Sequence, residues 1–204
     1  MVITSAQAEE RRRALIDAAI AVMSEQGVSQ SRLVDIGRRA GISPSQVLYY
    51  FGSKAELFIE ALRAGEHELR AEYLAAVERL PAAVDRLERL LELAAPTGPG
   101  DYRLLLWMDA WELAPRNAEV ARQLQQLEDD WTSLLSDVVD HGIARGEFAC
   151  EDVRQFVLRF SALIDGLTIQ VVLGSPHIDR DRMLEMCRDT ARRELSLPRP
   201  EPLR

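Results

Sequence analysis

Residues 31–51 read SRLVDIGRRAGISPSQVLYYF, and this stretch decides the fold. Leu33, Ile36 and Ala40 repeat at helical spacing, with Ser31 placed to cap their helix and Gly41 to end it. Ser43-Pro44 then opens a second helix, serine as the cap and proline at the first helical position, running to about Tyr50. The link Ala40-Gly41-Ile42-Ser43 is a tight turn holding a glycine able to take positive φ, so the pair predicts a helix-turn-helix. In that arrangement Ile36, Ala40, Ile42 and Val47 face inward, while Ser45, Gln46, Tyr49 and Tyr50 face out. Those outward groups hydrogen-bond or stack, on a helix of the size that enters a major groove. A helical hairpin that merely packs has the same spacing, so spacing alone leaves both readings open.

Helical periodicity extends in both directions. Upstream, Leu15, Ile16, Ala19, Ile20 and Met23 line one face of a helix over 10–26, which Gly27 is suited to end. Downstream, Gly52-Ser53 breaks the chain, and Ser53 with Glu56 resembles a capping box opening a long helix from about Lys54 to Leu80, stopped by Pro81. Further helices are expected over about 82–94, 101–114, 117–145, 151–173 and 179–196. Pro96–Gly100 is the clearest loop, Asn117 an N-cap, Gly146 a helix terminator, and Pro198–Pro202 a frayed tail. The fold class is therefore all-α with about nine helices: a three-helix domain over 1–53 and a larger helical domain over 54–204.

The chain has 204 residues, 47% hydrophobic and 28% charged, which is globular usage and excludes a disordered or fibrous protein. Its net charge of −8 argues at first against nucleic acid. By position, residues 1–60 hold seven basic and seven acidic residues, so the whole deficit lies beyond the helix-turn-helix. Cys150 and Cys187 make no disulfide framework, and no run of 18 uncharged apolar residues occurs, so a cytoplasmic protein with no membrane partner is expected. His67, His141 and His177 lack metal-ligand spacing, and no phosphate loop, nucleophile elbow or paired cysteine motif appears. No enzyme, metal or cofactor is expected.

Asp35–Ser43 followed by Val47–Leu57, VLYYFGSKAEL, resembles the DNA-binding signature of the TetR family of bacterial regulators, as does the opening Leu15-Ile16-Asp17-Ala18-Ala19 before Gly27. The segment from Trp107 to Gly174, notably Gly142–Phe148 and Ala162–Leu167, resembles the BetI-like C-terminal domain within that family. The resemblance implies that Pro44, Ser45 and Gln46 reach base edges, that Tyr49 and Tyr50 touch phosphate or a thymine methyl, and that Lys54, the only lysine, contacts phosphate. A glutamine such as Gln46 can bind adenine with two hydrogen bonds. Two positions depart from the family: Leu48 replaces a usual tyrosine, and Val34 a frequent basic residue for which Arg32 can substitute. A ligand-responsive homodimeric repressor of a palindromic double-stranded operator is then the expected function, with a helical adaptor that does not bind DNA as the alternative.

For the larger domain, Trp107, Met108, Trp111, Trp131, Phe160 and Asp165 are expected to line an effector pocket. An ionised Asp165 in an apolar run must bind a cation or pair with an arginine such as Arg103, Arg154 or Arg159, and indole faces also attract cations. A small-molecule effector, cationic or apolar, is implied. Residues 160–178 are apolar on more than one face, and Met183, Cys187, Ala191 recur at steps of four. Leu163, Leu167, Val171, Met183, Cys187 and Ala191 are therefore expected at a homodimer interface built as a four-helix bundle.

Overall fold

The computed structural model describes residues 5–196, all of them helix, turn or loop; the expected Pro198–Pro202 tail lies outside the described residues. The helices are α1 (Ser5–Gln26), α2 (Leu33–Ala40), α3 (Pro44–Phe51), α4 (Lys54–Val77), α5 (Ala83–Ala94), α6 (Tyr102–Leu113), α7 (Ala118–Ala144), α8 (Val153–Val172) and α9 (Arg180–Glu194). A 3₁₀ turn, Ala114–Arg116, precedes α7. Asn117 caps α7, its Oδ1 accepting the N–H groups of Glu119 and Val120.

Two compact units form, each drawn from two stretches of the chain. The first takes the chain up to Glu68 together with Tyr102–Gln125; the second takes Leu69–Asp101 and the chain from Gln126 onward. The reason is that α6 packs on α1. Leu106 and Ala110 of α6 are as fully buried as Leu15, Ala19 and Met23 of α1. Each fully buried large apolar side chain contributes about 1.5–3 kcal/mol, and a three-helix head alone would leave much of that surface wet.

Local chemistry explains the head. α3 begins with a complete capping box: the Ser43 side chain accepts the Gln46 N–H and the Gln46 side chain accepts the Ser43 N–H. Gly41 ends α2 in the left-handed region at φ 72°. Gly37 is required for a different reason, because a Cβ there would lie 2.7 Å from the Ile42 carbonyl oxygen. One expectation is corrected. Ser31 does not cap α2; the N-cap is Arg32, with no side-chain bond, and Ser31 is buried with its hydroxyl donating to the Val28 carbonyl at 2.9 Å.

The second unit has one continuous core in which Leu87, Leu90, Leu135, Phe156, Phe160 and Cys187 are buried. Arg188 of α9 clasps both carboxylate oxygens of Glu88 on α5. Gly142 lies directly under the Phe148 ring, where a Cβ would overlap it, and both Glu147 and Phe148 donate their N–H groups to the Gly142 carbonyl. Glu147 then accepts the Ala83 N–H at the start of α5, so the Gly142–Phe148 turn fixes where α5 begins. α8 is long and apolar enough to cross a membrane by length and composition, but Phe156, Phe160, Ile164 and Leu167 place it in this core.

Candidate nucleic-acid interface and effector groups

α3 buries Val47 and Phe51, four residues apart, which turns Ser45 and Tyr49 directly outward. Tyr49 is 84% exposed, with the Tyr50 ring meeting it edge-on at 5.6 Å. Pro44, Ser45, Gln46 and Arg32 are all exposed and Tyr50 is half-buried. Val34 and Leu48 add two exposed apolar side chains to the same head.

Two of these side chains are engaged within the chain. The Gln46 Oε1 accepts both the backbone N–H and the hydroxyl of Ser43, at 3.0 and 3.1 Å, leaving the amide NH₂ as its outward group. Lys54 donates to the carbonyls of Ser31 at 2.7 Å and Ser29 at 3.3 Å. Burial lowers its pKa, offset in part by Asp109. The arginines divide likewise. Arg12 pairs with Glu60 and lies over the Phe51 ring, Arg39 pairs with Glu25, and Arg38 lies 3.3 Å from Asp35. Arg11, Arg13 and Arg32 are exposed and carry no ion pair among the described residues.

The expected effector residues fall in both units. In the first, Trp107, Met108 and Trp111 are half-buried on α6, the two indoles in tilted contact at 5.8 Å. Glu66 of α4 joins them, its Oε1 accepting the Trp107 Nε1–H at 2.7 Å. Burial pushes the Glu66 carboxyl up, opposed by that hydrogen bond and by the charges of Arg103 and His67. In the second unit, Trp131 is half-buried and donates to the Ser161 hydroxyl at 3.0 Å. Phe160 is 1% exposed and stacked on Phe156, a core position. Asp165 is exposed, yet surrounding protein and then Glu128 push its carboxyl up to about 6. Arg159 pairs with Glu194 rather than with Asp165.

Residues 15–61 match the family model of bacterial regulatory proteins of the tetR family, and residues 83–196 match the model of the BetI-type transcriptional repressor C-terminal domain. The chain belongs to the TetR family. It is 28% identical over 180 residues to the regulator BetI of Rhizobium meliloti, covering 88% of this chain and 86% of that one. It is 28% identical over 167 residues to the regulator SrpR of Pseudomonas putida, covering 80% and 76%. A transcriptional regulator from Saccharomonospora viridis, solved in complex with choline, superposes with a TM-score of 0.81 at 29% identity, over 90% of this chain and 96% of that one. The protein is accordingly a TetR-family transcriptional regulator with a BetI-type C-terminal domain.

Five of the six residues expected at a homodimer interface are buried within the chain itself. Leu167, Val171, Met183, Cys187 and Ala191 are each 6% exposed or less, all within the core of the second unit. Burial also raises the Cys187 thiol to about 11. Leu163 alone of the six is half-buried. The open face of α8 instead carries Leu158, 51% exposed, Ala162 and Gly166, with Leu173, 65% exposed, just beyond its end. Glu66 was not anticipated either. Its signal is a carboxylate in the apolar stripe Leu62, Glu66, Leu69, Tyr73 of α4.

Proposed function

We propose that this chain acts as a homodimeric repressor that binds a palindromic operator through α3 and is released by a small cationic effector. Tyr49 and Ser45, standing out from a helix anchored by Val47 and Phe51, support the DNA reading. An isologous dimer sets two such helices about 34 Å apart, one DNA turn. The dimer is proposed through the open face of α8, with Leu158 and Leu173 at its ends.

For the effector, the observation that carries the reading is the Glu66 carboxylate bonded to the Trp107 indole, which in turn meets the Trp111 ring. A carboxylate and two ring faces attract a quaternary ammonium, whose charge is spread over methyl groups and costs little to desolvate. Choline, the ligand of the Saccharomonospora viridis regulator, is the first compound to test. Met108, on the same helix as the two indoles, remains a proposed contributor; Trp131 and Asp165 belong to the second unit, where Asp165 offers a separate anionic group. α4 runs unbroken from Lys54 to Val77 and belongs to both units, so an effector that favours one position of α4 shifts the population of operator-competent dimers.

The test is a gel shift with the DNA upstream of the chain's own gene at stated salt, followed by choline titration calorimetry. Specific binding that is lost in Tyr49→Ala, together with choline binding that is lost in Glu66→Gln, is expected. Absence of specific DNA binding overturns the repressor reading, and absence of heat overturns the quaternary-ammonium reading.

A further inference from the structure

The loop Gly27–Ser31, which leads from α1 into α2, is held from two sides by charged side chains that its own helices do not supply. From α6, the Asp109 carboxylate accepts the Val28 N–H at 2.9 Å. From the start of α4, the Lys54 ammonium donates to the carbonyls of Ser29 and Ser31. Val28 is 4% exposed and Ser31 2% exposed, and the Ser31 hydroxyl returns to the Val28 carbonyl, so the loop is a closed, polar-bonded knot. α2 follows immediately with no side-chain cap of its own at Arg32. Its entry is therefore fixed by this knot and not by local sequence.

Asp109 sits in a telling place on α6. Trp107 and Trp111 are four residues apart and share a face, whereas Asp109, two positions from each, points about 200° round the helix. One rigid helix thus carries the indoles on one face and the clasp on the other. Burial pushes the Asp109 carboxyl up and the Lys54 ammonium down. Each favours the charge of the other.

We propose that Asp109 and Lys54 are positioning residues through which α6 sets the seat of α2, and hence of the reading helix α3. This rests on the DNA-binding reading above, and it places the coupling on the 27–31 loop rather than on α4 alone. Lys54 then serves as an internal tie, not chiefly as a phosphate ligand. Displacing α6 by one side-chain diameter on its indole face would draw the Asp109 oxygen out of hydrogen-bond range of Val28.

A double-mutant cycle tests this without requiring an effector. The operator is a duplex selected in vitro by the full-length protein, and affinity is read by fluorescence anisotropy at fixed salt. Trp107→Ala is expected to change operator affinity by about fivefold or more, at the low end of allosteric couplings. In the Asp109→Ala background the same substitution is expected to have less than about a twofold effect, because the link is already cut. Asp109→Asn, which keeps an acceptor for Val28, should restore most of the coupling. Hydrogen exchange at the Val28 amide supplies a readout on the intact clasp, and its protection should fall in Trp107→Ala. Additive effects of the two substitutions, or unchanged Val28 protection in Trp107→Ala, would overturn the proposal while leaving DNA binding intact. Failure to select any duplex would instead overturn the DNA-binding reading on which it rests.

Discussion

The division of the head's basic residues into free and engaged makes a quantitative prediction about salt. Each arginine that neutralises a phosphate releases counterions, steepening the fall of log affinity with log salt by about 0.9 per contact. Arg32 is exposed at the entry to α2 and carries no ion pair among the described residues. Arg32→Ala should therefore flatten the slope by about 0.9 per subunit, or about 1.8 for a dimer. Between about 50 and about 200 mM KCl this means that the affinity deficit of the variant shrinks about tenfold.

Lys54→Gln should behave differently, because its ammonium is committed to Ser31 and Ser29. Its affinity loss should be nearly constant across the salt series. Arg12→Ala should leave the slope alone but weaken the fold, since Arg12 pairs with Glu60 and lies over Phe51. Those contacts are worth about 1 kcal/mol together, or about 2–4 °C in Tm. The assay is fluorescence anisotropy on the operator duplex at five salt concentrations, with Tm measured alongside. An unchanged slope in Arg32→Ala, combined with a flattened one in Lys54→Gln, would refute the assignment.

Three further outcomes follow from the geometry. Gly37→Ala forces a Cβ to within 2.7 Å of the Ile42 carbonyl, so the turn must open; a loss of about 1–3 kcal/mol and of operator binding is expected, read by urea denaturation and gel shift. The Asp165 carboxyl stands raised from 3.8 to about 6, so the folded chain holds its proton more tightly than the unfolded one and stability falls as pH rises across that window. Asp165→Asn should flatten Tm against pH there and sit slightly above the native protein at pH 7, within about 1 kcal/mol because the side chain is exposed. Leu158→Glu with Leu173→Glu should yield a folded monomer by analytical ultracentrifugation, whereas Met183→Glu should fail to fold, its side chain being 1% exposed in the core.

What could be read from the sequence was what short-range chemistry encodes. The Ser43 cap, the Gly41 turn and the Asn117 cap are decided within four residues, and each stands where the residue pattern placed it. The outward face of α3 is equally local, because burying Val47 and Phe51 on an eight-residue helix leaves no choice about where Tyr49 points. Ser31 fails by the same logic: a serine before an apolar repeat reads as a cap, but a buried loop bonded to Asp109, 81 residues away, takes its hydroxyl instead. The domain boundary could not be read for that reason too. Apolar periodicity says that α1 needs a partner along its Leu15–Met23 face, not that α6 supplies part of it.

The residues expected at the interface lie on two helices whose apolar surface is spent differently. α9 has one apolar face, Met183, Leu184, Cys187 and Ala191 with Met186 beside them, on a helix whose remaining surface is mostly charged. A helix with one stripe spends it on its own core, since that core forms at any concentration while a partner arrives only by collision. Surface for a partner must come from a helix with apolar residues left over after its own core is filled. α8 is such a helix: Phe156, Phe160, Ile164 and Leu167 satisfy the core, and Leu158 and Leu173 remain in water. The surplus apolar face, not the regular stripe, is where a second copy of this chain should dock.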